Sequence, residues 1–321
     1  MKPANESVAA VIGLGTMGPG LAQILAQGGY RVVGYDRNAA AVEACRRMIP
    51  AICRTLEEHG VIDPEETRGI LGRISYAPSI ADQVADADIV IEAVSEDRDV
   101  KRSVFEAIDT AAPEACMLWS NTSTLNVFEL MPAQRHPAAV IAHWFAPPHI
   151  VPLVEVVKGE ATRPDIVART LDILHSLGKR PIVIERYVPG FIINRILRII
   201  GREAFFLLDN GYISAEDLDL AVKASIAPRM MVLGLIQRYD FTGLDLSARN
   251  LLDESFFDPP VDNRPKALHR HIEKGHLGVK SGKGFFDYGD RDPSEICRER
   301  DRLLLKVIDN LRFCLEKKRL V

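Results

Sequence analysis

Through the first 186 residues, short apolar runs recur between stretches of helical periodicity. They are VAAVIG at 8–13, RVVGYD at 31–36, ADIVIEAV at 87–94, MLWSN at 117–121, AVIAHWF at 139–145 and PIVIE at 181–185. These runs are nearly continuous in aliphatic residues rather than alternating, so they predict strands buried on both faces. The expected fold is α/β, a doubly wound, mostly parallel sheet between layers of helices. Between the second and third runs lies a more polar stretch, RRMIPAICRTLEEHGVIDPEETRGILGRI, in which Gly60 and Pro64 separate two helical patterns. It predicts a helical hairpin projecting from the sheet.

After Pro189 and Gly190 the pattern is helical only. Ile193, Leu197, Ile200, Ala204, Leu207 and Leu208 keep the i, i+3, i+4 rhythm, Asn210 and Gly211 stop it, and Ser214 with Asp217 can cap the next helix. Leu304, Val307, Ile308, Leu311 and Leu315 mark the stripe of a last amphipathic helix, which packs on its own domain or meets a second subunit. The change of character near 187 predicts two domains, 1–187 and 188–321, and 321 residues are enough for two cores.

Composition narrows the function. With 47% hydrophobic residues and only 22 glycines and 19 prolines, the chain is neither fibrous nor disordered. A net charge of −4, with no block of one sign, excludes a nucleic-acid or anionic-lipid footprint and points to a small-molecule partner. No apolar run is long enough to span a membrane, and the polar start leads straight into a strand, so a cytoplasmic protein is expected. Cys45, Cys53, Cys116, Cys297 and Cys314 form no paired spacing, as suits free thiols. His269, His271 and His276 do not share one helix face, so no metal site is expected. Lys317, Lys318 and Arg319 suit the carboxyl end of a helix.

The chemistry begins at Gly13, Gly15 and Gly18 in VIGLGTMGPGLAQ, which join a predicted strand to a predicted helix. Asp36 ends the next strand 18 residues after the third glycine. That interval is close to the ~20 of a dinucleotide-binding fold. The first glycine permits a sharp turn, the second lets backbone approach a pyrophosphate, and the third lets helix and strand pack closely. Thr16 and Met17 lie in the same loop, where helix N–H groups face the phosphates. Asp36, beside Arg37, can accept from the ribose hydroxyls and would repel a 2′-phosphate, which favours NAD over NADP.

A second constellation starts at His143 in AHWFAPPHIVPLVEVV. Glu155 follows 12 residues later amid Leu153, Val154, Val156 and Val157, where a carboxylate needs a partner. A returning segment can bring the two together. A histidine held this way has a fixed tautomer and a stabilised imidazolium, the needs of a general base in alcohol oxidation. The plainer reading is a satisfied core histidine. Ser123 and Asn194 offer a hydroxyl and an amide, though each also suits a cap or a polar helix face.

Seven motifs, GLGTMGPGLA, IEAVSEDRDVK, SNTST, AHWFAPPHIVPLVEVV, VPGFIINR, DNGYISAEDLD and GVKSGKGFFDY, stand in the order and spacing of the 3-hydroxyacyl-CoA dehydrogenase family. The chain resembles that family over nearly its whole length. The resemblance implies a Rossmann-type domain, a helical domain, an active site in the cleft between them, NAD as cofactor and a homodimer. It makes Ser123, His143, Glu155 and Asn194 the substrate hydroxyl, catalytic base, base-orienting carboxylate and substrate-binding amide. Glu96 and Lys101 match contacts to the nicotinamide half of the cofactor, with a helix-surface charge pair as the bland alternative, and Asn121 joins the cofactor set. One departure stands out: the family usually reads HxFNPP or HFFNP where this chain has HWFAPP, so Ala146 replaces an expected asparagine. Losing one preorganised polar group costs about 2–4 kcal/mol of transition-state stabilisation. That favours a cofactor-binding protein with little turnover, whereas the intact quartet favours an enzyme.

The substrate is expected to be a small 3-hydroxy carboxylate, with a short-chain 3-hydroxyacyl-CoA thioester as the alternative. No lysine lies between Lys2 and Lys101 to meet nucleotide phosphates. Arg46, Arg47, Arg54, Arg68 and Arg73 are nearly cancelled by Glu57, Glu58, Asp63, Glu65 and Glu66. The PPHIVPLVEVV stretch and the extension beyond GFFDY are similar to branches that oxidise free hydroxy acids such as carnitine or sugar acids. His149, Arg195 and Arg229 are candidates to hold the carboxylate.

Overall fold

A computed structural model describes residues 3–255 and 257–316. The described chain divides into two compact units, one through Arg195 and one from Ile196. The first contains β1 (Val8–Ile12), α1 (Gly18–Gln27), β2 (Arg31–Tyr35), α2 (Ala39–Glu58), α3 (Pro64–Gly72), β3 (Ile74–Tyr76), α4 (Ile80–Val84) and β4 (Ile89–Glu92). There follow α5 (Arg98–Ala111), β5 (Met117–Ser120), β6 (Ala139–Trp144), β7 (Leu153–Lys158), α6 (Pro164–Ser176) and β8 (Arg180–Ile184). The eight strands form one sheet in the order β3-β2-β1-β4-β5-β6-β7-β8. Every neighbouring pair is parallel except β6 with β7. β1, β4 and β5 are buried at every position, because helices cover both faces of the sheet. Strand order reverses between β1 and β4, which opens a crevice at their carboxyl ends.

Two expectations change here. The three-residue β3 adds an edge strand whose segment, ISY, is too short to show a pattern. The helical hairpin forms as expected, turning at Gly60 (φ 67°) and capped by the reciprocal Asp63–Glu66 pair, but it does not project. α2 and α3 both lie on α1, with Ile49, Ile52, Cys53, Leu56 and Ile70 buried.

The second unit is helical: α7 (Ile193–Asp209, which begins just inside the first unit), α8 (Ala215–Ala221), α9 (Ala227–Thr242), α10 (Leu244–Leu251), α11 (Lys266–Glu273), α12 (Pro293–Asn310) and α13 (Arg312–Leu315). Ser214 caps α8 by accepting from the Asp217 N–H at 3.0 Å, as the sequence predicts. The final stripe is not one continuous helix, because α12 ends at Asn310 and Leu311 separates it from α13. Lys317, Lys318 and Arg319 lie outside the described residues. No helix among the described residues is long and apolar enough to cross a membrane.

Candidate active site

A cavity of about 920 Å³ opens at the carboxyl ends of the strands, and Gly13, Gly15, Thr16, Met17, Asp36, Arg37, Glu96, Asn121 and Ser123 all line it. Gly13 has a φ of 96°, and a Cβ there would sit 2.5 Å from the Ala93 carbonyl oxygen, so only glycine makes this turn. Gly18 does not line the cavity; a Cβ on it would lie 2.3 Å from the Gly13 oxygen, so it serves the close approach of α1 to the turn. A Cβ on Gly15 would meet nothing within 4 Å and would fill cavity space instead. The Asp36 oxygens accept from the Leu14 and Asn38 N–H groups, each at 2.8 Å, which fixes the carboxylate at the cavity wall. Each oxygen keeps a second lone pair for a ribose hydroxyl. An open glycine cradle at a helix amino terminus, with an anchored carboxylate beyond it, fits a dinucleotide.

Ser123 is set by an ionic chain that runs from buried Glu92 and Lys101 out to Glu96 at the surface. Glu96 Oε1 accepts from the Ser123, Thr124 and Leu125 N–H groups at 2.9, 2.7 and 3.3 Å and from the Thr122 and Thr124 hydroxyls at 2.8 and 2.9 Å. Burial pushes the Glu96 carboxyl up, but the Thr122 hydroxyl, the Lys101 ammonium and the Thr124 donors together hold it below its ordinary value. Lys101 is fully buried, with Nζ 2.7 Å from Glu92 Oε1 and 3.5 Å from Glu96 Oε2. It is therefore not part of a helix-surface pair, nor does it line the cavity. Its influence reaches the cavity through Glu96. Glu92, which the sequence reading missed, also accepts from Ser120 Oγ at 2.6 Å. The signal was available: like Glu155, it is a carboxylate in an apolar strand.

His143 and Glu155 are register partners across the antiparallel β6–β7 pair. His143 Nδ1 lies 2.8 Å from Glu155 Oε2, and both residues are buried. The second oxygen, Oε1, accepts from the Ile192 and Ile193 N–H groups, each at 3.0 Å. One carboxylate thus holds the imidazole and the first turn of α7, satisfying N–H groups that a helix start leaves unpaired. An ionised acceptor at Nδ1 places the ring proton there and leaves Nε2 with its lone pair. Phe145 and Phe191 lie against the imidazole, with ring centroids at 4.6 and 5.3 Å.

The two groups lie on neighbouring interior strands, toward the carboxyl end of β5 and β6. Ser120 on β5 pairs with Ile141 on β6, so Asn121–Ser123 and His143 continue from adjacent strand ends. Asn121 Oδ1 ties them together by accepting from the Trp144 N–H at 2.9 Å. His143, Glu155 and Asn194 do not themselves line the cavity. Asn194 stands half-buried in the first turn of α7, directly after the N–H groups bound to Glu155. Ala146 is exposed at the head of the next loop. His149 lies against α1, where its Nδ1 would be 3.2 Å from a Cβ on Gly20. Arg195 is exposed and donates to the Pro189 carbonyl at 3.3 Å, whereas Arg229, in the helical unit, turns back on Ser225 of its own chain segment.

A further buried group, Lys179, escaped the sequence reading because nothing in GKRPIVIE separates it from an exposed lysine. Its Nζ donates to the Pro148 and Val151 carbonyls at 2.5 and 2.9 Å, strapping the loop after His143, and burial pushes its pKa down to about 7.

The family description "3-hydroxyacyl-CoA dehydrogenase, NAD binding domain" matches residues 8–187, and its C-terminal domain matches residues 190–288. The chain is 37% identical over 302 residues to 5-formyl-3-hydroxy-2-methylpyridine 4-carboxylate 5-dehydrogenase of Mesorhizobium japonicum, covering 93% of this chain and 96% of that protein. It is 33% identical over 285 residues to a probable 3-hydroxybutyryl-CoA dehydrogenase of Bacillus subtilis, covering 88% and 97%. A solved structure of a 5-formyl-3-hydroxy-2-methylpyridine 4-carboxylic acid 5-dehydrogenase, described as an NAD+ dependent dismutase, is similar with a TM-score of 0.84 and 35% identity, covering 95% and 98%.

Proposed function

The chain belongs to the 3-hydroxyacyl-CoA dehydrogenase family, an NAD-dependent oxidoreductase acting on CH–OH groups, and from that premise we propose its substrate and its catalytic residues. The substrate is a small free hydroxy carboxylate, a 3-hydroxy acid in the first instance, oxidised to its oxo compound. His143 is the general base. The observation that carries this reading is the buried 2.8 Å contact between His143 Nδ1 and Glu155 Oε2, which leaves Nε2 able to take the alcohol proton. Glu155 orients the ring and stabilises the imidazolium that forms. The Ser123 hydroxyl and the Asn194 amide hold the reacting oxygen. Gly13, Gly15, Thr16, Met17, Asp36, Arg37 and Asn121 would hold NAD, with Gly18 letting α1 approach, and Lys101 acting through Glu96. NAD, when bound, supplies the acceptor for the hydride.

Arg195 takes the substrate carboxylate in this reading, since it follows Asn194 and its guanidinium is exposed. Two observations support a substrate without CoA. A pyridine carboxylate is what one well-matched relative is named for. In addition, the hairpin arginines are partly engaged, Arg46 over the Tyr76 ring and beside Glu43, and Arg73 on the Ala26 carbonyl. A 3-hydroxyacyl-CoA thioester is the second reading, favoured by the similarity to the Bacillus subtilis protein. Residues 1–187 are the NAD-binding domain and 188–321 the substrate and dimerisation domain. An NADH-formation screen should show turnover of free hydroxy acids, hydroxymethyl pyridine carboxylates included, above that of 3-hydroxybutyryl-CoA. Efficient turnover of the thioester alone would establish the second reading instead.

A further inference from the structure

The base and the Ser123 loop leave different strands, yet the chemistry requires them at a fixed separation, because misplacement by about 1 Å can cost two orders of magnitude in rate. One segment, Tyr187–Ile193, touches both. Phe191 has a φ of 50°, an uncommon conformation for a bulky residue, and is fully buried. That turn sends the Ile192 and Ile193 N–H groups onto Glu155 and sets the Phe191 ring 5.3 Å from the His143 ring. The Tyr187 ring meets Phe191 edge-on at 6.1 Å. Its hydroxyl donates to the Thr124 carbonyl oxygen at 2.7 Å, while the Thr124 N–H and hydroxyl are held by Glu96. The residue next to Ser123 is thus gripped from two sides.

We propose that Tyr187 and Phe191 are positioning residues that fix the Ser123 hydroxyl relative to the His143 imidazole. The proposal rests on the reading of Ser123 and His143 given above.

A double-mutant cycle tests this, using the full-length protein, NAD and the substrate turned over fastest in the screen. Tyr187→Phe keeps the ring and removes one hydrogen bond, so kcat should fall about 3- to 10-fold, with NAD affinity and Tm nearly unchanged. If Tyr187 acts through the Ser123 loop, the loss should vanish in a Ser123→Ala background, since the group being positioned is gone. Phe191→Leu keeps an apolar, though smaller, side chain and removes the ring link, and its kcat loss should overlap that of Tyr187→Phe rather than add to it. A silent Tyr187→Phe, or losses that multiply fully with Ser123→Ala, would overturn the proposal. His143→Ala in the same assay judges the base assignment separately: turnover surviving that change removes the base, whereas the Ser123 cycle decides the role of Tyr187 in either case.

Discussion

In the unit through Arg195, Ala9, Val11, Phe105 and Trp119 are entirely shielded, whereas in the unit from Ile196, Ile236, Leu251 and Leu252 stand 76, 88 and 81% exposed. Among the described residues of the helical unit only Pro265, Ala267 and Gly284 are buried. Both regions have good apolar periodicity, and the difference lies in what covers it. A doubly wound sheet supplies its own cover, since each crossover helix returns over a neighbouring strand. The helical unit's stripes are left open in one copy. An uncovered apolar surface of this kind calls for a partner, and a second copy of the chain is the partner we propose. On that proposal, the site chemistry belongs to the self-sufficient unit and the assembly to the other.

The largest effect inside the first unit should come from Glu155→Gln. A carboxylate accepts on both oxygens, but an amide has one acceptor, so the ring proton of His143 or the N–H pair of Ile192 and Ile193 loses its partner. We expect kcat to fall at least about 100-fold and the folded state to lose about 1–3 kcal/mol, measured by NADH formation and urea unfolding. In the second unit, Leu251→Glu with Leu252→Glu should halve the mass seen in sedimentation while NAD affinity stays within about twofold. Retention of the parent mass would show that these two leucines face no second copy.

Smaller effects sharpen the contrast. Asp36→Ala removes the acceptor for the Leu14 and Asn38 N–H groups and the negative charge at the cavity wall. The preference for NAD over NADP should drop about tenfold or more, by roughly 1.4 kcal/mol, in dinucleotide titrations. Lys179 gives the first unit a pH signature. Its folded pKa is lowered to about 7 from the ordinary 10.5, so between those values the unfolded chain binds a proton that the native one lacks. Stability from this group is therefore full above pH 10.5 and is lost as pH falls toward 7. Its two carbonyl acceptors offset part of the burial cost, so the change should be on the order of a few kcal/mol. Lys179→Met should flatten the slope in urea titrations at pH 7 and pH 9.5.

The sequence showed most of the first unit because its runs are long, continuous and punctuated by Gly13, Asp36 and His143. It also brought Glu155 to His143 as a pair, on the argument that a carboxylate among valines needs a partner. The β6–β7 register that does so is antiparallel, and no spacing announces that. Lys101 read as a surface charge or a cofactor contact because helix periodicity cannot reveal a buried Glu92 nine residues earlier. Tyr187 left no signal, since its partner is a backbone carbonyl. In the second unit the helices were legible and their cover was not, because an apolar stripe has the same pattern whichever surface it meets.

The most direct test of the base is His143→Ala, assayed for NADH formation at saturating NAD alongside a dinucleotide titration. The imidazole lies outside the cavity that fits the cofactor. The expected result is therefore a fall in kcat of about 10²–10⁴, with NAD affinity within about twofold of the parent. A variant that keeps most of its turnover while binding NAD normally would contradict it.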